Sequence, residues 1–161
     1  MSGNVYGVSL YRPQITDLWF RRALLADPDT MSYNAAWGGT ILFGEERWEP
    51  WYRDWVGNPD KRFYRYVAVG PSREFVGETA WHYDEDEQKY LADVIIMARC
   101  RGRGYGKAAL ELLCKEARKK GIPELYDDIA VDNPGIGLFL SCGFTEEYRT
   151  DEIVMLKKTI L

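Results

Sequence analysis

Cysteine is scarce in this chain of 161 residues, with only Cys100, Cys114 and Cys142 present. So few, at irregular spacing, exclude a disulfide scaffold and a structural zinc site, and a reducing cytoplasm is the expected home. Long apolar runs are missing too. No stretch approaches the roughly 18 consecutive apolar residues of a membrane span, and no basic-then-apolar leader opens the sequence, so no membrane partner is expected. Positive charge is not in excess either, because the formal net charge is −4. A general nucleic-acid binder needs a basic face to neutralise phosphates, and that class is set aside. Internal repeats, low-complexity segments and polar linkers are absent. With 46% hydrophobic residues, a single domain over residues 1–161 with a sizeable core is expected.

What the chain does have is glycine in one dense cluster. The run Arg101-Gly102-Arg103-Gly104-Tyr105-Gly106 lies between a strand-like stretch, Asp93-Val94-Ile95-Ile96-Met97, and a helical pattern that begins near Gly104. A glycine turn feeding a helix N-terminus presents unpaired backbone N–H groups and the positive end of the helix dipole, which suits a phosphate or pyrophosphate. Arg99, Arg101, Arg103 and Lys107 add to that local field. Three glycine motifs compete here. A P-loop fails, since Arg101 stands where its first glycine belongs and Ala108 follows Lys107. A dinucleotide fingerprint survives only in weakened form as Gly104-x-Gly106-x-x-Ala109. Its ribose-binding acid belongs at the C-terminal end of the next strand, whereas Asp127 and Asp128 precede or open the run Ile129-Ala130-Val131. The third reading takes Arg101-x-x-Gly104-x-Gly106 as one unit.

That unit resembles the acetyl-CoA pyrophosphate signature of the GNAT superfamily of N-acetyltransferases. The resemblance extends over residues 90–157, where a long helix, a Gly121-Ile122-Pro123 break, a strand, Asp132-Asn133, a short helix and Gly143-Phe144 follow in the family's order. It implies an α/β fold: a mixed, mostly antiparallel sheet with a parallel central strand pair flanked by helices. It implies direct transfer of an acetyl group from acetyl-CoA to a primary amine, without a metal. Carried over, the backbone of Arg101, Gly102, Arg103, Gly104, Tyr105, Gly106 and Lys107 would grip the pyrophosphate. Ile95, Ile96 and Met97 would hold the acyl arm, and Asn133 the pantetheine.

One position departs from the family. Many members place a tyrosine four residues before the Gly-Phe pair to protonate the departing thiolate, and here Phe139 stands there beside the cofactor. Phenylalanine donates no proton. Ser141, Tyr148 or Tyr105 would take over, or the thiolate leaves unaided. For the base that deprotonates the amine, Asp93 is the first choice. Glu78 and His82, four apart on a strand and therefore on one face, are further candidates, as is Asp128.

The other elements follow from periodicity. A strand is expected over residues 5–11, and a helix carrying Leu18, Trp19, Arg22, Leu24 and Leu25 ends at Asp27-Pro28. Residues 27–44 read as a long connection or broken helix, and residues 45–56 as an amphipathic helix with Trp48, Trp51, Tyr52 and Trp55 on one side. Strands at 63–69, 75–83 and 90–97 form a meander, and strands at 144–149 and 153–158 close the chain. That last pair offers an edge for a homodimer. Tyr33, Trp37, Trp51 and Tyr148, with Glu45, Glu46, Glu49 and Asp54 nearby, suit a small cationic acceptor resembling an antibiotic, polyamine or amino acid. A protein N-terminus or lysine is the competing acceptor. A non-catalytic CoA-binding module is the competing class, on the strength of Phe139.

Overall fold

The computed structural model describes residues 7–161, apart from the side chains of Ala36 and Trp37. The first two residues of the expected strand at 5–11 and the Trp37 side chain thus lie outside the described residues. Seven strands form one sheet: β1 (Val8–Tyr11), β2 (Arg62–Val69), β3 (Glu74–Asp84), β4 (Lys89–Ile96), β5 (Glu124–Ala130), β6 (Thr145–Arg149) and β7 (Ile153–Thr159). Their order is β1-β2-β3-β4-β5-β7-β6, and only β4 and β5 run parallel. Four α-helices accompany them: α1 (Leu18–Ala26), α2 (Trp48–Trp55), α3 (Tyr105–Lys119) and α4 (Gly135–Ser141). This is the mixed, mostly antiparallel sheet that the resemblance implies. No helix among the described residues is long and apolar enough to cross a membrane.

Strand alternation divides the core between two layers. On β2, Phe63 joins Leu110 and Leu113 of α3, while Tyr64 and Tyr66 join Phe20 and Leu24 of α1. The α1 stripe differs from the expected one. Leu18, Phe20, Leu24 and Leu25 are buried, Trp19 is 54% exposed, and Arg21 rather than Arg22 sits half-buried among the apolar residues. Helical period explains it, since positions 18, 21 and 25 share a face and position 22 turns away from it.

The parallel pair is where the sheet opens. Leu91 pairs with Tyr126, and the two strands have no other paired residues among the described ones, so the edge of β4 beyond Ala92 is left without strand pairing toward β5. Asp127 and Asp128 lie within β5 rather than at its start. With one parallel pair and no acid closing a strand there, the doubly wound dinucleotide reading is excluded. Across β4, Gly77 allows a close approach: a Cβ there would stand 2.2 Å from the Ile95 carbonyl oxygen.

Candidate active site

Beyond β4 the chain makes a 3-10 turn at Ala98–Cys100, then passes Gly102 (φ 78°) and Gly104 (φ 83°) before α3 begins. Both dihedrals are left-handed, which glycine adopts at no steric cost. The turn leaves the backbone N–H groups of residues 102–107 without an acceptor among the described residues. They crowd the N-terminus of a fifteen-residue helix, so the dipole and the free donors act together on an anion. Arg103 and Lys107 are exposed beside them. Arg101 has another task. Its guanidinium donates to the carbonyls of Thr30 at 2.9 Å and Ile96 at 3.3 Å, pinning the loop to the 3-10 helix Thr30–Trp37. Buried Thr30 completes the clasp, since its hydroxyl accepts the Ala98 N–H at 2.9 Å and donates to Asp27. A cavity of about 540 Å³ lined by Ala23, Asp27, Asp29, Met97, Ala98 and Arg99 opens at this end of β4.

A second set of groups lies on the face covered by α1 and α2. Register sets Tyr64 and Asp93 opposite Ala80, and Tyr66 and Ile95 opposite Glu78, so alternation brings Tyr64, Tyr66, Glu78 and Asp93 to that face. Glu78 is 4% exposed and fully engaged. Its two oxygens accept from Arg21 Nη1 at 2.6 and 2.5 Å, and one also accepts the Tyr64 hydroxyl. The Arg21 guanidinium in turn lies over Trp51 at 4.4 Å, Phe43 at 5.2 Å and Tyr64 at 5.6 Å from the ring centroids. Burial works to lower the Arg21 pKa, but the negative charge of Glu78 outweighs it and the net direction is upward.

Asp93 is different because its carboxyl has no hydrogen-bond partner among the described residues. Burial first, and then the charge of Glu78, push it from the usual 3.8 up to about 7, against the opposing pull of Arg21. Burial and the charges of Asp93 and Asp128 also hold Asp127 well above the ordinary carboxylate range. Asp93 and Asp127 therefore titrate as a coupled pair. Tyr33 is 43% exposed, yet burial of its hydroxyl end and the fields of Asp93 and Glu78 push that group up to about 12. Its proton stays on through the physiological range.

The remaining expected residues are spread over several elements. The side chains of Ile96 and Met97 are buried and that of Ile95 half-buried, so the strand presents backbone to the cleft. Asn133 Oδ1 accepts the Gly135 N–H at 2.8 Å and opens α4. Phe139 is buried in the core, its ring 5.0 Å edge-on from Phe144. Tyr105 is half-buried where α3 starts, and the Ser141 hydroxyl donates to the Leu138 carbonyl at 2.6 Å. His82 lies one alternation beyond Ala80 on β3, with its ring 5.6 Å from Trp55, and burial followed by the charge of Arg62 lowers its pKa. Trp51 is taken up by Arg21. Tyr148 lies on β6, separated from β4 by β5 and β7. Arg21, Thr30 and the electrostatic influence of Asp93 on Asp127 escape sequence reasoning. The available signal is an arginine inside the apolar stripe of a short helix, which marks a buried ion pair.

Comparison with known proteins agrees with this arrangement. Residues 16–144 match the family model described as Acetyltransferase (GNAT) family. The chain belongs to the GNAT acetyltransferases, and it is an acetyltransferase by that membership. Among solved structures, it is similar to a spermidine N-acetyltransferase from Vibrio cholerae in complex with CoA and spermine, at a TM-score of 0.79 and 17% identity over 95% of both chains. A GNAT acetyltransferase from Bacillus anthracis superimposes with a TM-score of 0.74 at 14% identity, over 95% of each chain. A domain from Methanocaldococcus jannaschii gives 0.75 at 16% identity, covering 96% of this chain and 99% of that one. No curated protein matches the chain.

Proposed function

We propose that the protein transfers an acetyl group from acetyl-CoA directly to the primary amine of a small cationic acceptor, with Asp93 as general base. The observation that carries this reading is the carboxyl of Asp93, unpaired at an open strand edge and held up to about 7. A base works best with a pKa near the operating pH. In this scheme the pyrophosphate lies on the free N–H groups of residues 102–107, and the thioester arm runs along the open edge of β4. Once ionised, the Asp93 carboxylate favours a cation over a neutral acceptor. Similarity to a fold that holds CoA and spermine together in another protein supports a polyamine-like acceptor.

Proton balance follows from relative acidity. Asp93 first takes one proton from the bound ammonium and releases it to solvent; the freed amine nitrogen attacks the thioester carbonyl, the C–S bond breaks, and one of the nitrogen's two remaining protons ends on Asp93. An acid of pKa about 7 is stronger than an ordinary thiol at about 8.5, so passing that proton to the CoA thiolate is downhill. Tyr33, held near 12, is too weak an acid for that transfer and serves as a hydrogen-bond donor. The scheme therefore needs no hydroxyl at position 139. A thiol-release assay with acetyl-CoA over a panel of polyamines, amino sugars, amino acids and peptides tests it. Turnover confined to small cationic amines supports the reading. Tight CoA binding without turnover on any amine would replace it with the binding-module alternative.

A further inference from the structure

At the opposite end of α3 from the glycine loop, the sheet edge is left open. β1 pairs Tyr11 with Tyr66 and goes no further, so the beginning of β2 is paired with β3 on one side and has no strand on the other. The gap is a cavity of about 80 Å³, lined among others by Arg12, Trp55, Arg62, Tyr64, Arg65 and Lys120. Its lining includes four cations and no carboxylate. None of the four makes an ion pair among the described residues.

The side chains are held ready to donate. Arg62 lies over the Trp55 ring at 4.4 Å and Arg65 over the Phe63 ring at 4.2 Å, so the two flank the open edge from opposite faces of β2, each backed by a ring. Only two of their neighbours' backbone oxygens draw on the cluster: Arg12 donates to the Val56 carbonyl at 3.4 Å and Arg65 to that of Tyr64 at 2.8 Å. Burial and then the charge of Arg12 lower the Arg65 pKa, the mark of cations crowding one another. The carboxylate that acts on Arg65 from α3, Glu116, is paired with Lys119 at 3.2 Å. Acidic residues outnumber Lys and Arg by 25 to 21 in this chain, so four cations converging on one hollow without a counter-charge is an arrangement that an anion would relieve.

We propose that this pocket binds a compact oxyanion, either free inorganic phosphate or the phosphate group of a small metabolite. Forked guanidinium donors match such an anion in two places at once. The volume is several times the roughly 10–15 Å³ that one water needs and too small for a nucleotide. The site is separate from the glycine loop, because the fifteen residues of α3 at about 1.5 Å each set the loop and Lys120 on the order of 20 Å apart. It borders the acceptor side through Tyr64, whose hydroxyl bonds Glu78, and through Trp55, whose ring stacks 6.4 Å from Trp51.

The test begins by saturating the protein with CoA, so that the glycine loop is occupied. Inorganic phosphate and, separately, a simple phosphomonoester are then titrated calorimetrically into the wild-type protein, Lys120→Gln and the double variant R62Q/K120Q. Expected is binding to the wild-type protein that weakens severalfold in K120Q and at least tenfold in the double variant, with CoA affinity unchanged in both. Tighter binding of the monoester identifies a metabolite as the source, and tighter binding of phosphate identifies the free ion. No binding to the CoA-saturated wild-type protein, or equal affinity in K120Q and the double variant, overturns the proposal. Lys120 is exposed at the helix end, so K120Q alone decides the matter if the double variant does not fold.

Discussion

Replacing Asp93 by asparagine separates stability from catalysis. Asparagine keeps the shape and cannot ionise. In the unfolded chain the carboxyl loses its proton near 3.8, whereas in the native state it holds it up to about 7. Between those values the native state binds the extra proton, so stability falls as pH rises through the window and is level above it. The full shift of 7 − 3.8 = 3.2 corresponds to about 4 kcal/mol at about 1.4 kcal/mol per unit, an upper size because the raised Asp127 carboxyl is coupled to Asp93. D93N should therefore be more stable than the wild-type protein by about 2–4 kcal/mol at pH 8, and equal to it near pH 4. Urea unfolding followed by tryptophan fluorescence measures the difference at each pH, and other titrating groups cancel because both proteins share them. A difference that does not change with pH, or a less stable D93N at pH 8, refutes a buried, unpaired carboxyl.

Three further perturbations follow from the same geometry. Arg21→Met leaves the Glu78 charge buried with only the Tyr64 hydroxyl, and chemical denaturation should show a loss of about 3–5 kcal/mol. Gly77→Ala forces a Cβ against the Ile95 carbonyl, so unfolding measurements should register about 3 kcal/mol of destabilisation, together with slower acetyl transfer as β4 shifts. Phe139→Tyr restores the residue many relatives carry, but it places a hydroxyl in the apolar contact with Phe144. Its melting curve should report a cost of about 1–3 kcal/mol, with no gain in turnover.

The glycine loop was legible because its conformation is written in residue type: positive φ at Gly102 and Gly104 requires glycine, and the helix that follows is amphipathic over its whole length. The meander and the final strand pair were legible for the same reason, since alternation and turn residues are local. The acceptor side was not. Arg21 and Glu78 are 57 residues apart, and their contact depends on α1 lying across β3, which no local pattern encodes. That contact also changes what Trp51 does, because the cation over its ring is the protein's own. Similarly, Arg101 looks in sequence like part of the anion field. Its guanidinium instead ties the loop to Thr30, a partner 71 residues away. The position of Asp127 inside β5, where it feels the charge of Asp93, depends on that strand starting at Glu124 and running parallel to β4.

The central claim is that the ionised Asp93 carboxylate drives acetyl transfer. It is tested most directly by the pH dependence of kcat/KM for the best small amine, measured in the wild-type protein and in D93N. The wild-type profile should rise tenfold per pH unit below about 7 and bend there, before the amine's own ionisation near 10.4. D93N should lack the bend and lose roughly 10²–10⁴-fold in rate at pH 8. An unbent wild-type rise through pH 9, or a D93N profile that overlays it, contradicts the account.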